Sequence, residues 1–216
     1  MKCHICNQVT RSFIDEKTNI TYYHCSNCEY IFKSPECYQD FSTQKERYNL
    51  HENDESDPGY QAYFRRFLDF ILPLVDNPKT ALDFGCGRSS LLASLLNQEG
   101  IDCDYYDPIY HPDTLDEKKK YDLIVSTEVF EHLHQPKEVF ENLLGRLKED
   151  GYLALQTQFH PNDTEEFKKW YYHQDPTHIV FFTAQTFRVL CEVYGCEFIS
   201  DNGKNMVLLR KPAVPK

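Results

Sequence analysis

Ala81-Leu82-Asp83-Phe84-Gly85-Cys86-Gly87-Arg88-Ser89-Ser90 is the stretch on which the fold turns. Thr80–Phe84 reads as a strand, Gly85-Cys86-Gly87 as a tight turn, and Ser89–Gln98 as a helix stopped by Gly100. Glycines at such a turn let backbone approach a ligand closely. About 20 residues on, Asp107 follows the next strand, Ile101–Tyr106, at the place where Rossmann-like sites bind ribose hydroxyls. Glycine turns of this kind also serve dinucleotides, and Asp83 separates the two cases. A diphosphate at this helix start would face a carboxylate, which is unfavourable. A ligand carrying an ammonium or a sulfonium would be attracted to it.

Outward from this turn the chain alternates strands and helices. Upstream, Tyr60, Phe64, Phe67, Leu68, Ile71 and Val75 fall at helical spacing, with Pro73 near the end of that helix. Downstream, Tyr121–Thr127 reads as a strand and Pro136–Lys148 as a helix with Val139, Phe140, Leu143, Leu144 and Leu147 on one face. Asp150-Gly151 then turns into the strand Tyr152–Thr157. Thr183–Tyr194 is a helix with Thr183 as its N-cap and Gly195 as its stop. Cys196–Ser200 and Asn205–Arg210 end the chain as strands joined through Asn202-Gly203. This order predicts an α/β fold: a Rossmann-like, doubly wound, mostly parallel sheet with an antiparallel C-terminal strand. The connection from Asp107 to Tyr121 is too short for a full strand–helix excursion, so one edge strand is expected to be reduced or absent.

At the N-terminus, Cys3-x-x-Cys6 and Cys25-x-x-Cys28 frame an 18-residue insert. Zinc takes four tetrahedral soft ligands, and two such knuckles on either side of one β-hairpin supply them. Thr10–Ile14 and Ile20–His24 read as that hairpin. A four-cysteine shell leaves no open position, so this zinc is expected to be structural, and Cys37 is read as a plain thiol. The organisation expected is a small β zinc ribbon over residues 1–37, a linker or lid over 38–59, and the α/β domain over 60–216.

The 216 residues carry 23 basic and 34 acidic side chains, a formal net charge of −11. Such a chain is repelled by phosphate backbones, which counts against nucleic acid as a partner. No stretch reaches the roughly 18–20 apolar residues of a membrane span, and the start at Met1-Lys2-Cys3-His4 has no apolar leader. A cytoplasmic location follows as an expectation, and nine cysteines there argue for metal over disulfides.

Residues 60–210 resemble the class I S-adenosylmethionine-dependent methyltransferase family. The resemblance is carried by Leu82-Asp83-Phe84-Gly85-Cys86-Gly87, by Tyr106-Asp107-Pro108, by the run from Tyr121 to Leu133, and by Gly151-Tyr152-Leu153-Ala154-Leu155. The last two segments are similar to the ubiquinone-biosynthesis O-methyltransferase branch. The resemblance implies a transferase that moves a methyl group from S-adenosylmethionine (SAM) to a small-molecule acceptor, a hydroxyl compound among the options. It implies cofactor contacts from Asp83, Gly85, Cys86, Gly87, Asp107, Pro108, Thr127 and Glu128, with Asp107 on the ribose. The family's usual acid after the third strand has no counterpart.

Acceptor chemistry is expected beyond Thr127. Glu128, Glu131 and His132 converge if a helical turn starts there, and His178 lies before the last helix. Two carboxylates and two imidazoles form a candidate second metal site for a divalent cation. Small-RNA 3′-end 2′-O-methyltransferases have a similar Glu-x-x-Glu-His set with a distant histidine. Without a metal, His178 or His132 becomes the general base. Trp170, Tyr171 and Asp175, with Tyr48 and His51 from the linker, are the candidate pocket residues. Two other readings stay open. One is an RNA methyltransferase acting on a ribosomal base or an RNA 3′ end, since a zinc ribbon before such a domain resembles certain ribosomal-RNA guanine methyltransferases. The other is a zinc-ribbon interaction module with a degenerate cofactor fold.

Overall fold

The computed structural model describes residues 1–39, 45, 55–116 and 118–213. Helix α1 (Pro58–Ile71) starts at Asp57, whose carboxylate accepts the Gly59 N–H. It leads into strand β4 (Thr80–Phe84), helix α2 (Leu91–Gln98), strand β5 (Asp102–Tyr106) and strand β6 (Tyr121–Thr127). Helix α3 (Pro136–Arg146), strand β7 (Leu147–Gln156), a short α4 (Thr164–Phe167), strand β8 (Val180–Phe181), helix α5 (Ala184–Tyr194), and strands β9 (Glu197–Asp201) and β10 (Met206–Arg210) follow.

The large sheet has the order β5-β4-β6-β7-β10-β9. β4, β5, β6 and β7 are mutually parallel, and β10 runs antiparallel to both β7 and β9. β5 is an edge, because the stretch from Asp107 to Tyr121 contributes no further strand among the described residues. This is the reduced edge that the short connection predicts. Among the described residues no strand follows β5 on that edge to present an acid.

Side-chain alternation along the strands splits the core in two. Ala81, Leu123, Val125, Ala154, Met206 and Leu208 face one side and bury against Phe64, Phe67, Leu68 and Ile71 of α1 and Leu92, Leu95 and Leu96 of α2. Leu82, Ile124, Leu153, Leu155, Val207 and Leu209 face the other, against α3 and α5. The second layer also contains Ile5, Tyr30 and Phe32 from the N-terminus. α5 keeps the ends its sequence predicts: Thr183 and Thr186 form a reciprocal capping box, and Gly195 stops the helix at φ 69°.

The N-terminal unit is a hairpin of β1 (Arg11–Asp15) and β2 (Ile20–His24) extended by β3 (Ile31–Lys33). Its sheet is completed from the far end of the chain. β3 pairs antiparallel with β8, Ile31 opposite Phe181 and Phe32 opposite Val180. A boundary at residue 37 therefore marks a change in sequence character, while sheet and core run across it.

Candidate active site

A crevice of about 990 Å³ opens at the C-terminal ends of the parallel strands, the place where open α/β sheets bind ligands. Its floor is the Gly85–Gly87 turn. Gly85 has φ +80°, and a Cβ there would lie 2.3 Å from Val129 Cγ2. Only glycine fits, because the loop after β6 crosses directly over the turn. Asp107 ties the frame together: its carboxylate accepts the N–H groups of Gly87 at 3.0 Å, Ile109 at 2.8 Å and Tyr110 at 3.0 Å. Gly85, Cys86, Gly87, Asp107, Pro108, Thr127 and Glu128 all line the crevice.

Asp83 stands elsewhere. It is 2% exposed and sits beneath the turn, off the crevice wall. Burial, with Asp107 nearby, pushes its carboxyl up to about 8. The acids on the wall itself are Asp107, Glu128, Glu131 and Asp175. Arg88 is the one arginine or lysine among the described lining residues, and its guanidinium lies 5.2 Å from the Tyr110 ring centre.

Beyond β6 the backbone turns sharply. Glu128 has φ 54°, an uncommon conformation for a residue with a side chain. The turn is held by the Glu128 N–H on Gln156 O at 2.8 Å. The Glu128 carboxylate accepts from Tyr63 Oη and lies 2.7 Å from Tyr172 Oη, which is also 2.6 Å from Glu131 Oε1. One phenolic hydrogen cannot serve two carboxylates, so one of the acids is protonated and donates to Tyr172. Burial raises both, Glu128 to about 7, and Glu131 is wholly buried.

Glu131, His132 and His178 gather with one ligand atom each within 4.8 Å of the others. His132 Nδ1 faces Thr177 O at 3.0 Å, and His178 Nδ1 faces Tyr172 O at 2.7 Å. A carbonyl only accepts, so each Nδ1 carries the hydrogen and each Nε2 keeps its lone pair. His132 Nε2 is 3.7 Å from Glu131 Oε1. Burial lowers both imidazoles, His178 to about 3. Glu131 Oε2 is buried without a hydrogen-bond partner among the described residues. Of the four residues proposed as a second metal site, the structure brings these three together, and Glu128 falls outside the group.

Tyr171 and Asp175 line the crevice. Trp170 does not. It packs against Phe167, Tyr172 and Phe181, where its large ring fills the space between α4 and the small sheet. Tyr48 and His51 lie outside the described residues. Sequence reasoning missed Tyr63, which holds Glu128 from α1, and Lys33, which is buried behind the Asp175 loop. The helical spacing of α1 singles out its apolar positions, and Tyr63 falls between them.

The four N-terminal cysteines converge as their spacing predicts. Neighbouring sulfurs lie 3.4–3.6 Å apart, and all four fall within 4.8 Å of one another. A tetrahedral ion with bonds of about 2.3 Å needs sulfurs roughly 3.8 Å apart, so this cluster fits zinc with a slight expansion.

No curated protein matches this sequence. Among solved structures, an O-methyltransferase family protein from Burkholderia thailandensis aligns with a TM-score of 0.52 at 15% identity, covering 80% of this chain and 64% of that one. The chain thus spans less than two thirds of that protein's length. The N-methyltransferase NodS from Bradyrhizobium japonicum WM9, crystallised with S-adenosyl-L-homocysteine (SAH), aligns with a TM-score of 0.50 at 15% identity, covering 80% of this chain and all of that one. At such identities the likeness is one of fold. The family model for the methyltransferase domain matches residues 58–201, from the start of α1 to the end of β9, and by that match the chain belongs to the methyltransferase domain family.

Proposed function

We propose that this protein transfers a methyl group from SAM to a small-molecule acceptor. The observation that carries the reading is the carboxylate-lined crevice over the Gly85–Gly87 turn. Four acids on its wall, even with one proton held between Glu128 and Glu131, against one stacked arginine, suit a sulfonium and an ammonium and oppose a diphosphate. Family membership and the SAH in the NodS crystal support the same ligand. Gly85, Cys86 and Gly87 would hold its methionine part and Asp107 its ribose. SAM supplies an electrophilic methyl carbon, and transfer is an in-line displacement in which the acceptor lone pair forms the new bond. The protein's part is alignment and exclusion of water, for which Tyr63, Phe84, Tyr110 and Tyr172 wall the crevice. The net charge of −11 favours a small acceptor over RNA. Placement in the ubiquinone-biosynthesis O-methyltransferase branch rests on the residues from Tyr121 to Leu133 and from Gly151 to Leu155.

The four-cysteine cluster we read as a structural zinc site. A second reading of the acceptor side is favoured by one specific arrangement. Two imidazoles with their Nδ1–H groups anchored on carbonyls, beside an unpartnered oxygen of buried Glu131, are arranged as ligands of a divalent cation are. In that reading Glu131, His132 and His178 would hold the ion, which would supply Lewis-acid polarisation of an acceptor hydroxyl. Without it, the same imidazoles are the candidates for the base.

Calorimetry tests the cofactor assignment. SAH should bind with a dissociation constant near the micromolar range, about −8 kcal/mol, and NAD should not bind. Binding of NAD in place of SAH would overturn the reading.

A further inference from the structure

We propose that the N-terminal ribbon braces the His178 side of the crevice from behind, and that Lys33 is the positioning residue through which it sets His178. The proposal rests on the crevice being the methyl-transfer site.

The connection runs through one turn. The Lys33 side chain is 1% exposed, and its Nζ donates to the main-chain oxygen of Asp175 at 3.1 Å. The same oxygen accepts the N–H of His178 at 3.1 Å. Asp175 Oδ1 braces the turn from inside, accepting Thr177 N at 2.9 Å and Thr177 Oγ1 at 2.7 Å. Lys33 therefore fixes the first residue of a four-residue turn whose last residue is His178. On either side the ribbon grips the same segment. Lys33 N donates to Ile179 O at 2.9 Å, continuing the β3–β8 pairing. Upstream, Asp15 Oδ2 lies 3.3 Å from His173 Nε2, both groups being buried. The turn in turn serves the crevice, because Thr177 O accepts from His132, and Ile179 N donates to Glu131 O at 2.8 Å.

The choice of lysine here is informative. An ammonium loses its hydration on burial, and burial lowers Lys33 to about 8. A methionine would fill the same slot with no such cost. Lysine at this place favours the position of the Asp175 carbonyl over the stability of the ribbon.

The cofactor half has a separate support. The Gly85–Gly87 turn is braced by Asp107 and Val129, and among the described residues the Asp107 carboxylate bonds only to the N–H groups of Gly87, Ile109 and Tyr110. Loss of the Lys33 contact should therefore disturb one half of the crevice and spare the other.

The test is Lys33→Met in the full chain, compared with the parent before any divalent ion is added. Three readouts are needed: nitrogen NMR of the histidine rings, amide hydrogen exchange, and SAH calorimetry. In the parent, His178 should show the Nδ1–H tautomer. In the variant it should shift toward the Nε2–H form common in solution, and amides of residues 175–178 should exchange about tenfold faster or more. SAH affinity should stay within about twofold, and the thermal midpoint should be equal or higher. An unchanged His178 signature with unchanged exchange would overturn the proposal. So would a lower midpoint with SAH binding lost, which would make Lys33 a plain structural residue. A parent that binds no SAH would overturn the cofactor assignment instead, and the His178 result would still be read on its own.

Discussion

Replacing Asp83 with asparagine should make the protein more stable at alkaline pH, and by an amount that grows with pH. Asp83 is 2% exposed beneath the glycine turn, and burial together with Asp107 raises its carboxyl from the ordinary 3.8 to about 8. In the unfolded chain the group loses its proton near 3.8, while in the folded chain it keeps it until about 8. Between those values the folded state holds one more proton than the unfolded state. Stability from this group is therefore full below 3.8 and is lost as pH rises toward 8, at about 1.4 kcal/mol per pH unit. From pH 5 to pH 8 the loss is about 4 kcal/mol, a large share of the 5–15 kcal/mol typical of a domain. Asp83→Asn keeps the shape and an oxygen for the Ala93 N–H but cannot ionise. Urea unfolding of parent and variant at pH 5, 6, 7 and 8 gives the difference directly, and titrations common to both cancel. The variant should gain on the parent by about 4 kcal/mol across that range. A difference that stays constant with pH would mean Asp83 is ionised in the folded protein throughout, and the account of its burial would fail.

Two further predictions follow from the site. Gly85→Ala places a methyl 2.3 Å from Val129 Cγ2 at φ +80°; it should cost about 2–4 kcal/mol in urea unfolding and abolish SAH binding, and Val129→Ala added to it should recover part of the stability. Elemental analysis of the purified chain should find one zinc, lost in Cys25→Ser/Cys28→Ser; Mn2+ added afterwards should bind in a second site that His178→Ala removes, and absence of any second ion would leave the histidines without a metal role.

Much of this architecture could be read from residue patterns, and what could not has identifiable reasons. Alternation in β4, β6 and β7 and helical spacing in α1, α3 and α5 report burial directly, because each element hides one side from water. The glycine turn was legible because only glycine tolerates both the backbone angle and the contact with Val129. The cysteine pairs were legible because metal chemistry fixes their spacing. Position across long separations was not. Asp83 looks like a wall residue in sequence but lies buried beneath the glycine turn in space, because side chains alternate along β4 and its neighbour Phe84 is the one that faces the crevice. Trp170 carries the composition of a pocket but packs inward beside Phe167 and Phe181. Lys33 gave no signal at all, because nothing near it in the chain announces its contact with Asp175, 142 residues away.

The pairing of β3 with β8 has a consequence for how the molecule comes into being. During synthesis the first thirty-three residues leave the ribosome long before Val180 and Phe181 exist to cover their open edge. Until then Ile31 and Phe32, both fully enclosed in the finished protein, have no lasting shelter, and a strand with a bare rim invites association with other chains. Fragments ending before residue 180 should therefore clump even when their cysteines are satisfied, and the native form should appear only after β8 has been made.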